Sequence, residues 1–87
     1  MEQANKAIDS VYGQLRSKLE PEESKSLQEA QRAWIKWRDA EADLIARLGG
    51  GIGHGSAFRV DFANAQTKLI KERTGVLKKY LSEVGSR

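Results

Sequence analysis

Two stretches hold residues whose types and spacing could do chemistry. The first is GGGIGHGSAFR, Gly49 to Arg59, which sets the one histidine, His54, near Ser56 and Arg59 behind a run of glycines. An imidazole close to a hydroxyl imitates a base and nucleophile pair. No third group is at hand to orient it, so the stretch gives no catalytic residue. The run Gly50-x4-Gly55-Ser56 has the outline of a phosphate-binding loop, but the lysine is missing and no strand precedes it. His54 also has no second histidine and no cysteine with which to share a metal. Recognition is the chemistry left: a thin loop in which Gly53, His54, Ser56 and Arg59 offer themselves to a partner. The plainer alternative is a glycine-rich connector between helices.

The second stretch is AQRAWIKWRDAEA, Ala30 to Ala42. Trp34 and Trp37 stand about 300° apart around a helix and share one broad face. Gln31 and Arg38 line up with Trp34, three residues before it and four after. An indole N–H wants an acceptor, and an arginine beside it wants a carboxylate. Asp39 points elsewhere by helical spacing, whereas Glu41 lies three residues past Arg38 on its side. Arg73 interrupts an apolar line through Leu69, Val76 and Leu77. These positions predict two core tryptophans with a polar network of Gln31, Trp34, Arg38, Glu41 and Arg73 at the core's edge. An exposed tryptophan used as a binding anchor is the alternative.

Three helices must position these residues. The first is expected from about Gln3 to Leu19, with Ile8, Val11, Tyr12, Leu15 and Leu19 as its apolar stripe. Pro21 suits the first turn of the second, followed by Glu22 and Glu23 at the positive end of the helix dipole. That helix is expected to reach about Leu48. Its apolar set, Leu27, Ala30, Trp34, Trp37, Leu44, Ile45 and Leu48, is wide enough for a neighbour on each side. Five glycines between Gly49 and Gly55 end it. Ser56 is a fair N-cap for a third helix from Ala57 to about Val84. Phe58, Phe62, Ala65, Leu69, Val76, Leu77, Tyr80 and Leu81 form its stripe, and Gly85 stops it. The expected fold is all-α: an antiparallel three-helix arrangement with a long central helix and a Gly-rich turn before the third. One domain spans residues 1–87.

Composition narrows the function further. At 87 residues the chain buries only about 60–65% of its unfolded surface, so its stability margin is thin. A chain 39% hydrophobic and 31% charged is globular rather than disordered. No apolar run approaches the ~18 residues of a membrane span. The net charge of +3 falls short of the dense basic patch of a nucleic-acid binder, and the basic residues alternate with acids. No cofactor is called for.

With the elements placed, VYGQLRSKLEPEESKSLQEAQRAWIKWRDAEA, the glycine-rich turn and LIKERTGVLKKYL together resemble the LprI-type lysozyme-inhibitor domain. The likeness runs from about Asp9 to Leu81. Its most specific piece is Gln31, Trp34, Arg38 and Asp39 in QRAWIKWRD, and its second is Arg73-Thr74 followed by Leu77. The resemblance implies a non-enzymatic bacterial protein that binds another protein, lysozyme in the best-described case. It also implies a periplasmic or secreted location, reached with a leader already removed ahead of Met1. The alternative is a helical interaction module of the bacterial envelope without lysozyme activity. Long arms also leave room for a homodimer.

The sequence departs from the family in one respect. Such domains commonly carry cysteines on the second and third helices. Ala42 and Ala65 stand at the matching positions and are expected to face each other, so a staple worth about 2–4 kcal/mol is missing. Without cysteine, a cytoplasmic location stays open. Lysozyme holds two carboxylates in a cleft. A slim loop could enter it, with His54, Ser56 and Arg59 as donors.

Overall fold

The structure, a computed structural model, describes residues 2–49 and 55–87. It contains α1 (Glu2–Lys18), α2 (Pro21–Gly49) and α3 (Gly55–Gly85), and no strand among the described residues. The expected all-α three-helix arrangement is the one that forms. Helix ends fall within two residues of expectation, and α3 starts at Gly55, so Ser56 lies inside its first turn instead of capping it.

The turn between α1 and α2 follows from its sequence. Pro21 opens α2, where a missing N–H costs nothing. The Glu23 carboxylate reaches back and its Oε1 accepts the Glu20 N–H at 3.0 Å, half of a capping box. Three side-chain links then set the α2–α3 register. Arg87 meets Glu23 at 2.9 Å, Arg73 meets Gln31 at 3.1 Å, and Gln66 meets Asp39 at 3.1 Å. As residue numbers rise along α2 they fall along α3, so these helices are antiparallel.

At 1.5 Å per residue, α2 and α3 are each about 45 Å long and α1 only about 26 Å. The mismatch divides the molecule. Near the α1–α2 turn, Ala4, Ile8, Val11 and Leu15 of α1 join Leu27 of α2 and Ile70 and Leu77 of α3 in one buried cluster. Farther along, a second cluster holds only Ala42, Ala65 and Leu69, with Phe62 against it, all from α2 and α3. A three-helix half thus continues into a two-helix arm. The extents, 50 × 21 × 17 Å, and a radius of gyration of 15.2 Å describe a rod. A compact chain of this length would measure about 12 Å.

This division corrects two expectations. The helix held on both sides is α3, not α2: α1 and α2 each pack along it. Its buried face is wide enough because Ile70 and Thr74 sit beside the Leu69–Leu77 line. The second correction concerns α2. Leu27 is buried and Trp34 packs on the core, but Trp37 is 49% exposed. Leu44, Ile45, Leu48 and Ala30 are exposed too. Ala42 and Ala46 are buried in their place. Trp37 lies where α1 has run out, on the side of α2 turned from α3. No helix among the described residues is long and apolar enough to cross a membrane.

Candidate functional site

Two places bring polar and aromatic groups together. At the waist, where α1 ends its cover, Trp34 projects from α2 between two cations. The Arg38 guanidinium carbon lies 5.4 Å from the indole centroid and that of Arg73, from α3, lies 6.0 Å away. Both are within cation–π range. Arg73 Nε donates to Gln31 Oε1 at 3.1 Å. Arg38 donates to Asp39 Oδ1 at 2.9 Å, and Gln66 Nε2 donates to that oxygen at 3.1 Å. The cluster ties α2 to α3 by two hydrogen bonds and an indole.

The geometry corrects the carboxylate. Arg38 pairs with Asp39, and Glu41 has no ion pair or hydrogen bond among the described residues. Asp39 follows Arg38 directly in the chain. Helical spacing sets their Cα atoms on different faces, but the long arginine folds across to reach it. Sequence reasoning missed Gln66 and placed Asp39 away from the cluster. The waist offers no nucleophile with a base. Among the described residues, no buried side-chain nitrogen or oxygen lacks a partner, and no group of acidic or histidine side chains is spaced to hold a metal.

The second place is the free end of the arm. Phe58 and Phe62 stack with centroids 6.0 Å apart and planes at 22°. The Arg47 guanidinium carbon lies 5.5 Å from the Phe58 centroid while its Nε donates to Asp43 Oδ2 at 2.8 Å. The hydrogen bond to that carboxylate, and then its charge, hold the Arg47 pKa above its ordinary value. Directly after Phe58 in α3, Arg59 is exposed, and so is Val60. Leu48 is the most exposed large apolar residue described, at 77%. Of the loop residues singled out from sequence, Gly53 and His54 lie outside the described residues. Ser56 falls in the first turn of α3, and Arg59 stands on its surface.

The tip and the waist differ in kind. At the waist, Arg38 is paired with Asp39 and Arg73 is hydrogen-bonded to Gln31. At the tip, Arg59 has no hydrogen bond or ion pair among the described residues and stands beside exposed apolar surface. That combination can meet an acidic, partly apolar partner surface. Ala42 and Ala65 share the arm's buried cluster, on facing helices. A family model described as lysozyme inhibitor LprI matches residues 1–77. No curated protein and no solved structure matches the chain.

Proposed function

The chain belongs to the lysozyme inhibitor LprI family, and on that premise we propose that it is a non-enzymatic inhibitor that enters the lysozyme cleft with the tip of its two-helix arm. The observation that carries this reading is the shape of the arm. Beyond α1 the described residues are only two helices wide, and toward the far end of that arm Arg59, Val60 and Leu48 are all exposed. Such a wedge suits a groove that a three-helix body is too broad to enter. A glycosidase cleft holds two carboxylates on either side of the scissile bond. His54, Ser56 and Arg59 would donate to them, the arginine with charge assistance. The target lies outside the cytoplasm, so the reading also entails export.

Lysis assays with the purified protein against lysozymes of several structural types test the function. The wild type should slow lysis by at least one of them. The double variant His54→Ala with Arg59→Ala should lose inhibition with its helical circular dichroism unchanged. Inhibition that survives in this variant removes the tip from the mechanism. Failure of the wild type against every lysozyme removes the function itself.

A further inference from the structure

Ala30, Ala33, Trp37, Ala40 and Leu44 fall along α2 at alternating steps of three and four residues, and all five are exposed. That spacing is the seam of a coiled coil. It lies on the side of α2 away from Ala42 and Ala46, which pack toward α3. From Ala33 to Leu44 small and large residues alternate. We propose that this seam is a self-association surface, on which a second copy of the chain lies antiparallel, α2 against α2.

An antiparallel copy whose two-fold axis passes midway between Trp37 and Ala40 sets each large residue against a small one. Trp37 faces Ala40 of the second copy, and Leu44 faces Ala33. Such layers let two helices approach closely and fill the space between them. The flanking charges agree with the same register. Lys36 and Asp43 border the seam on one side, and the two-fold places Lys36 of each copy against Asp43 of the other. Asp43 Oδ2 already accepts from Arg47 at 2.8 Å, which leaves Oδ1 for the incoming lysine. A parallel copy in register would instead set Trp37 against Trp37 and Leu44 against Leu44, with alanine against alanine between them.

A third observation comes from farther along the rod. A groove of about 490 Å³ opens at the proximal end, bounded by Leu19, Leu27, Ala30, Tyr80 and Val84 among others. Leu48, 77% exposed, lies about 14 Å along the axis from the proposed two-fold. Leu27 and Ala30 lie about 13–17 Å on its other side. The two-fold therefore sets each Leu48 level with the other copy's groove, whose rim shares Ala30 with the seam. One face carries both the knob and the hole, as a closed isologous dimer requires. This inference does not rest on lysozyme inhibition.

Sedimentation equilibrium over a wide concentration range tests it. The wild type should form a dimer that does not grow further. Leu44→Glu should be monomeric with unchanged helicity, since that side chain faces solvent in the single chain. Lys36→Glu and Asp43→Lys should each weaken the dimer by about tenfold or more, because each sets like charges opposite one another. The double variant with both changes should recover to within about threefold of wild type. A wild type that stays monomeric up to ~1 mM overturns the proposal and leaves the face to a different protein. A double variant that stays as weak as the single ones, with helicity intact, overturns it as well.

Discussion

The same two helices behave differently in the two halves of this molecule. In the proximal half, where α1 lies against α3, large apolar residues turn inward: Leu15, Ile70 and Leu77 are almost wholly buried. In the distal arm three alanines, Ala42, Ala46 and Ala65, make most of the interior beside Leu69 and Phe62, while Trp37, Leu44, Leu48 and Val60 look outward. A third helix supplies a second wall, and with it room for bulky side chains between the walls. Two helices alone enclose no such volume. They gain most by closing on small residues, with Leu69 and Phe62 alongside, and most of the arm's other large apolar groups are left to solvent or to a partner. A short α1 thus creates both a stable body and an apolar arm.

The sharpest way to break this comparison uses the two tryptophans, one on each side of the boundary. Trp34→Ala should cost about 3 kcal/mol, because it removes packing on the proximal core and the surface over which Arg38 and Arg73 lie. Trp37→Ala in dilute, monomeric protein should change stability by no more than about 0.5 kcal/mol. Urea unfolding of both variants at the same low concentration measures the pair. Equal losses would mean that the arm has a core of its own around Trp37.

Enlarging the arm's interior gives the next largest effect. Ala42 is wholly buried against α3, so Ala42→Leu should force α2 and α3 apart at a cost of about 1–3 kcal/mol. The same enlargement at Ala40, on the outer face, should be nearly neutral in the monomer. Thermal unfolding of the two variants side by side gives the contrast. If Ala42→Leu is tolerated as well as Ala40→Leu, the arm is loosely packed and the alanines are not what closes it.

The boundary itself was only partly legible in the sequence. Three-and-four spacing placed all three helices and the α1 stripe of Ile8, Val11 and Leu15. Periodicity tells which residues share a face, but not what lies opposite that face. Trp37, Leu44 and Leu48 therefore read as core, since nothing local marks where α1 stops covering α2. Alanine adds little to an apolar stripe, so Ala46 went unnoticed, and Ala42 stood out only through the family resemblance. At the waist, Gln31, Trp34, Arg38 and Arg73 could be named from helical register. Asp39 could not, because its bond to Arg38 depends on how a long side chain folds and not on spacing. At the tip, the exposure of Arg59 follows from its place on α3, while Gly53 and His54 lie outside the described residues.

The smallest expected effect separates the two ends of the rod by pH. At the proximal end the Glu23 carboxylate is held below its ordinary pKa, first by the Glu20 N–H it accepts and then by Arg87. Its folded-state pKa is depressed, so the stability it contributes is present above the unfolded-state value and is lost as pH falls through the folded-state one. Both groups are open to solvent, so the contribution is small and screened by salt. At neutral pH the wild type should melt slightly above Glu23→Gln, and the gap should close once the medium is more acidic than Glu23's folded pKa. At the distal end Asp43 meets Arg47 in the same solvent but caps no backbone N–H. In acid, amide exchange should therefore quicken more at the start of α2 than around Asp43. Exchange that quickens more around Asp43, or a Glu23→Gln gap that persists in strong acid, would place the acid-sensitive contact in the arm and not at the turn between α1 and α2.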